Sequence, residues 1–183
     1  LYNVAGYTAN LNNPANPGLR WVAVGSGGAS LYSTDSGATW LVGREDLGNP
    51  ALRSITQAGG IFFTVGDMGT ILSSSDGITW TPHTSGTTNN LNGITHGNIY
   101  VAVGNSGTIL TSTDGGNTWA SHTSVTSSNL RKVASVANLI VAVGDNGTIV
   151  TSKDGGATWT TQTLAGTPNL VSVVAESQLV AND

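Results

Sequence analysis

Cysteine is absent from this 183-residue chain, which excludes a disulfide scaffold, thiolate chemistry and any cysteine-ligated metal centre. Charge is scarce as well: Asp, Glu, Lys and Arg make up 9% of the residues, against roughly 25% in an ordinary soluble domain. The surface must therefore be clothed in Ser, Thr, Asn and Gly. Six basic residues, scattered along the sequence and outnumbered by ten acidic ones for a net charge of −4, offer no footprint for a phosphate backbone, so nucleic acid is not an expected partner. No apolar run approaches the ~18 residues that span a bilayer, and no membrane insertion is expected. The opening LYNVAGYTAN lacks the basic flank and apolar stretch of a signal peptide. Because it starts at Leu1 and not Met, the chain reads as a processed product or a segment of something longer. A 3.6-residue apolar rhythm is missing too, so no helix is expected.

What is present is a repeat. Trp40, Trp80, Trp119 and Trp159 recur about 40 residues apart, and Gly25, Gly66, Gly104 and Gly144 keep step with them. Such a period marks one supersecondary unit copied in series. In each copy WVAVG (21–25), FFTVG (62–66), YVAVG (100–104) or IVAVG (140–144) is a short run, rich in β-branched and aromatic residues, that ends on glycine and reads as a strand. Neither face of that strand is polar, so both should be buried, with the small Ala23, Thr64, Ala102 and Ala142 on the tighter side. Gly66-Asp67-Met68-Gly69 and Gly144-Asp145-Asn146-Gly147 then read as tight turns in which Gly, Asn and Asp supply the positive φ. TILSS, TILTS or TIVTS supplies the next strand, and after an Asp-Gly turn a fourth strand starts at each Trp. The spaced pairs Leu52/Ile55, Leu91/Ile94 and Leu130/Val133 mark the first strand.

Each unit is thus a four-stranded antiparallel meander, and one such sheet cannot bury both faces alone. Radial packing leaves few exposed edges, so the expected fold is all-β, a β-propeller of four-stranded antiparallel blades, with a flat stacked array as the alternative. Blades start near residues 1, 52, 91, 130 and 170, giving four full repeats and a partial fifth within a single domain, or an arc of a larger propeller, over residues 1–183. The first repeat is longer, and its excess lies in YTANLNNPANPGLR (7–20), whose Asn, Pro and Gly mark a surface loop.

The turn after the third strand reads Ser33-Thr34-Asp35-Ser36-Gly37-Ala38-Thr39-Trp40, and Ser112 to Trp119 and Ser152 to Trp159 match it as S-x-D-x-G-x-T-W. The copy from Ser74 through Asp76 to Trp80 is one residue shorter. A carboxylate at the third position can accept hydrogen bonds from its own loop, each charge-assisted bond contributing roughly 1.5–3 kcal/mol, while Gly permits a left-handed bend and Trp packs into the core. This pattern resembles the Asp-box, or BNR repeat, of sialidase-like propellers. Together with L-x-x-V, VAVG and G-T-I it is similar to the assembly-factor propellers of photosystem II and to uncharacterised bacterial and phage proteins. Carboxylates at the same turn of every blade cannot converge on one substrate, so Asp35, Asp76, Asp114 and Asp154, with Trp40, Trp80, Trp119 and Trp159, are read as structural. The activities of the resembling families do not carry over. Sialidases use three arginines on a substrate carboxylate with a Tyr–Glu nucleophile pair, whereas this chain has only Arg20, Arg44, Arg53 and Arg131 and no F-R-I-P-like segment. The arginine patch of the photosystem factors is missing from the sequence as well.

By the same resemblance, the turns between second and third strands share the top of the propeller with the connections between blades, and ligands bind there. Asp67, Asn105 and Asp145, together with Ser26, are the candidate ligand-binding residues, a ring of oxygens able to hydrogen-bond a sugar or hold a hard cation. Plain turn chemistry accounts for the same residues. His83 and His122 lie three residues past Trp80 and Trp119 on different sheets, which argues against a two-histidine metal site and for a solvent-facing outer strand. Glu45 and Asp46 are adjacent, so they point apart and lack glycosidase geometry. No catalytic residue, metal or cofactor is expected. The reading is a non-enzymatic structural or interaction module of a secreted, cell-surface or virion protein, such as a phage tail or decoration component, whose partners are proteins, including copies of itself or the rest of a longer chain. The alternatives are a carbohydrate-binding propeller that uses its top turns on glycans, and a fragment of a sialidase- or glycosidase-like enzyme.

Overall fold

Among the described residues, short β-branched runs separated by Gly, Asn and Asp build sixteen strands in four sheets. The computed structural model describes residues 3–8, 19–45, 48–164, 166 and 168–176. Sheet one holds β1 (Asn3–Thr8), β2 (Leu19–Val24), β3 (Ser30–Ser33) and β4 (Leu41–Arg44), and sheet two β5 (Leu52–Ala58), β6 (Ile61–Gly66), β7 (Ile71–Ser74) and β8 (Thr81–His83). Sheet three holds β9 (Leu91–His96), β10 (Tyr100–Gly104), β11 (Ile109–Ser112) and β12 (Ala120–Ser121), and sheet four β13 (Leu130–Val136), β14 (Leu139–Gly144), β15 (Thr148–Ser152) and β16 (Thr160–Thr163). Strands follow chain order in every sheet, each antiparallel to the one before. Among the described residues there is no α-helix, and no helix is long and apolar enough to cross a membrane.

Several boundaries differ from the sequence reading. Fourth strands begin one residue after the Trp, which belongs to the turn. Of the loop expected over residues 7–20, Tyr7 and Thr8 pair in β1 while Leu19 and Arg20 pair in β2; residues 9–18 lie outside the described residues, as do Leu1 and Asp46. Residues 168–176 form no strand, although a first strand was expected from Leu170. The hairpin partner expected to pair with it would come from residues 177–183, which also lie outside the described residues. Leu170 nonetheless donates its N–H to the Gly144 carbonyl at 2.9 Å, as Leu52 does to Gly25.

Successive sheets pack face to face through three apolar layers. Val22 and Val24 of sheet one meet Leu52, Ile55, Phe62 and Leu72 of sheet two. Phe63, Val65 and Ile71 meet Leu91, Ile94, Tyr100 and Leu110, and Val101, Val103 and Ile109 meet Leu130, Val133, Ile140 and Val150. Burying each large side chain of this kind contributes about 1.5–3 kcal/mol. The second strands are thus buried on both faces as their sequence implied, and Ala102 and Ala142 are fully buried where the sheets approach. First strands β1, β5, β9 and β13 stand side by side along the inner margin of the series, while among the described residues sheets one and four, at its ends, share no comparable packing.

The tryptophans roof these layers instead of entering them. Trp80, Trp119 and Trp159 are half-buried, each against the layer between its own sheet and the preceding one. Trp40 has no described sheet before it and is 40% exposed. Trp119 and Trp159 donate Nε1–H to their own loop at the carbonyls of Gly116 and Gly156, at 3.1 and 3.0 Å. Trp80, in the shorter loop, reaches Ser30 of sheet one at 3.1 Å.

The tight turns take the expected positive φ at Gly and Asn, with 69° at Gly69, 57° at Asn146 and 65° at Gly147, but not at Asp. Their first residue, Asp67, Asn105 or Asp145, opens a 3-10 turn, and the left-handed conformation falls on the second residue, with φ of 55° at Met68, 54° at Ser106 and 57° at Asn146. The strain of Met68 and Ser106 there is offset by a clip from the following sheet. The backbone N–H groups of Met68, Ser106 and Asn146 each donate to the Oδ1 of Asn90, Asn129 and Asn169, all at 3.0 Å. Asn129→Ala is therefore expected to lower unfolding stability by about 1 kcal/mol, read by urea denaturation. An unchanged midpoint would show that the clip does not hold sheets three and four together.

Candidate functional site

The sheets have two unlike ends. At one lie the loops after the third strands, where every carboxylate is turned inward on its own loop. Asp35 Oδ1 accepts the N–H of Thr39 at 2.9 Å and Oδ2 its hydroxyl at 2.5 Å. Asp114 and Asp154 repeat this with Thr118 and Thr158, while Ser33, Ser112 and Ser152 each donate a hydroxyl to the carboxylate at 2.8 Å. In the shorter loop Asp76 keeps the same role by accepting the N–H groups of Ile78 and Thr79, both at 2.8 Å. The Thr hydroxyl first, then the Thr N–H and the Ser hydroxyl, hold Asp35, Asp114 and Asp154 down at about 2 from 3.8.

The histidines correct the solvent-facing expectation. Cross-strand pairing sets His83 opposite Ile71, hence on the face that looks to sheet three, 5.5 Å from the Phe63 ring, with Nε2 at 2.8 Å from the Ser73 hydroxyl. His122 likewise meets Thr111 at 2.8 Å and the Trp159 ring at 6.1 Å. Burial lowers the pKa of both, and of His96, below 6.5. A base with a lowered folded pKa binds fewer protons folded than unfolded, so its contribution to stability is lost as pH falls through 6.5. A carboxylate held near 2 stabilises above 3.8 and loses that contribution as pH falls toward 2. Thermal melts between pH 8 and 2 are thus expected to decline in two stages, first below about 6.5 and then below about 4. A melting temperature flat from pH 7 to 5 would contradict the first stage.

At the opposite end the structure brings together what the sequence scattered. First strands β5, β9 and β13 each carry a β-bulge, at Arg53, Asn92 and Arg131, and a bulge re-aims its side chain out of the ladder. These three residues line one cavity of about 200 Å³ with Val171. Each also holds the turn residue of its own sheet. Arg53 Nε binds Asp67, Asn92 donates to Asn105 Oδ1 at 2.9 Å, and Arg131 binds Asp145 with Nε at 2.7 Å and Nη2 at 2.8 Å. The Arg131 hydrogen bond lowers the Asp145 pKa, assisted by Asn129. The candidate ligand residues Asp67, Asn105 and Asp145 are therefore all engaged. The residues that face the cavity are their partners, overlooked in the sequence because nothing marks a bulge there. Their shared place after the Leu of each L-x-x-[I/V] pair was the available signal. Among the described residues, no group of three or more His, Asp or Glu is placed to hold a metal.

A second, larger groove of about 890 Å³ runs along sheet two between Arg44, Asn49 and Pro50 on one side and Thr84 to Asn89 on the other. Its counterpart on sheet three, lined by Ser106, Thr108, His122 and Ser124, measures about 260 Å³.

Solved structures with similar folds include YCF48 bound to a D1 peptide, at TM-score 0.60 and 21% identity over 81% of this chain and 54% of that one. YCF48 from Cyanidioschyzon merolae matches at 0.59 and 17%, over 84% of this chain and 59% of that one. An ancestral GH74 enzyme matches at 0.61 and 17%, over 85% of this chain and 23% of that one. The chain thus spans a little over half the length of the YCF48 chains and about a quarter of the enzyme, and at these identities the likeness is one of fold. No curated protein matches it in sequence. Residues 15–130, more than half of the chain, match the DUF6242 beta propeller domain model, and the chain belongs to that β-propeller family.

Proposed function

We propose that this β-propeller domain is a non-enzymatic structural or interaction module whose partner is a protein. The observation that carries the reading is the commitment of its carboxylates. Asp35, Asp76, Asp114 and Asp154 hold their own loops, and Asp67 and Asp145 hold first-strand arginines, which leaves none of these six free to act as nucleophile, acid or base. YCF48, a protein of similar fold, has been seen with a peptide bound, which supports a peptide or protein partner over a glycan. The sparse charge and Ser/Thr/Asn surface fit a secreted, cell-surface or virion protein, and fractionation of the native source with an antibody to the domain tests that placement.

The activity test is a panel of chromogenic glycosides and oligosaccharides incubated with the purified domain. No turnover is expected. Turnover at enzyme-like rates that disappears in Asp67→Asn or Asp145→Asn would overturn the reading.

A further inference from the structure

We propose that the mouth of the inner margin, where Arg53, Asn92 and Arg131 line one cavity and Lys132 follows Arg131 on β13, is a binding site for a carboxylate group. Three of the six Lys and Arg residues of an otherwise acidic chain fall on these neighbouring first strands. The bulges aim two guanidinium groups into one cavity of about 200 Å³. Asp145 grips Arg131 through Nε and Nη2, which fixes the guanidinium plane and leaves Nη1 to a ligand. Asp67 grips Arg53 through Nε alone, leaving both terminal amino groups. Among the described residues no hydrogen bond engages these remaining donors. An arginine pre-oriented by a carboxylate loses less conformational entropy on binding an anion.

Lys132 lies next along the same strand, half-buried, with Nζ at 3.3 Å from the Ser54 hydroxyl and no ion pair among the described residues. Burial lowers its pKa, as expected for an ammonium group short of a counter-ion. Three cations against the carboxylates of Asp67 and Asp145 leave one positive charge. A carboxylate, carrying one negative charge, balances it, whereas a dianionic phosphate monoester overshoots. The cavity, about 200 Å³, has room for a carboxylate on a short stem. This inference rests on the interaction-module reading and deepens it, because the carboxylate is one that a protein partner presents, on an acidic side chain or at a chain end.

The test follows the Nε resonances of Arg53 and Arg131 by NMR during titration of the whole chain with N-acetyl-aspartamide, N-acetyl-alanine, acetate and methyl phosphate. Saturable shifts are expected with the first two, the tighter of them identifying side chain or chain end as the source, and weaker ones with methyl phosphate. Lys132→Met should bind at least tenfold more weakly with an unchanged melting temperature, and Lys132→Arg should restore binding if the Met variant fails to fold. Absence of saturable shifts with N-acetyl-aspartamide and N-acetyl-alanine, acetate binding as tightly as either of them, tighter binding of methyl phosphate, or full affinity in Lys132→Met would overturn the site. None of these outcomes touches the module reading, which the glycoside panel decides.

Discussion

Gly104→Ala is expected to cost about 2–4 kcal/mol, a large part of the stability of a typical domain. Gly104 sits at φ −160°, ψ −160°, extended backbone that alanine also adopts, so the penalty is one of space. An added Cβ would be driven onto the carbonyl oxygen of Asn90 and to 3.1 Å from Leu91 Cα. Both are backbone atoms at the start of β9, and neither can swing aside as a side chain would. The Asn90 carbonyl also accepts the Asn105 N–H at 2.9 Å, so displacing it breaks a bond. Overpacking contributes roughly 1–3 kcal/mol and the lost hydrogen bond about 1 kcal/mol. Gly66 and Gly144 meet the carbonyls of Ala51 and Asn129 in the same way. Equilibrium urea unfolding checks the figure against Gly115→Ala, where nothing lies within 4 Å but φ is +76°, a cost of about 1–2 kcal/mol. A Gly104→Ala variant as stable as Gly115→Ala would mean that first and second strands are not joined at this point.

Phe62→Ala should have an effect of similar size for a different reason. Phe62 is fully buried between sheets one and two, among Val22, Val24, Leu52, Ile55 and Leu72. Those neighbours belong to three different strands and cannot collapse together into the gap, so the cavity persists and the cost is about 3–5 kcal/mol. At about 2–4 °C per kcal/mol for a chain of this length, the melting temperature should fall by about 10 °C. Leu41→Ala, at a side chain 54% exposed, should stay within about 0.5 kcal/mol. Similar melting temperatures for the two variants would show that the sheets do not share the layer described.

Much of the fold was legible because its rules are local. Val-Ala-Val-Gly specifies a strand with two apolar faces, and the Asp loop encloses its own carboxylate whatever surrounds it. The geometry of the shortened loop at Asp76 was not legible in the same way, and the structure shows Ile78 and Thr79 supplying the donors that Thr39 supplies to Asp35. The candidate site was less legible because it depends on what lies across a sheet or between sheets. Asp67 and Asp145 looked free because their arginines stand on another strand of the same sheet. Arg53 and Arg131 looked scattered because they meet only when β5, β9 and β13 stand side by side, each with a bulge that adds a residue and leaves no compositional mark. His83 was assigned to the wrong face because its side is set by the register with Ile71, which spacing from Trp80 does not reveal.

The side chains of Asp67, Asn105 and Asp145 at the turn end are committed to first-strand partners, and the proposed function has no sugar recognised there. It is tested most directly by following the NMR signals of Asp67, Asn105 and Asp145 while a glycan library is titrated into the protein. All three signals are expected to stay in place with every glycan; a saturable shift at these residues with any one of them would overturn the proposed function.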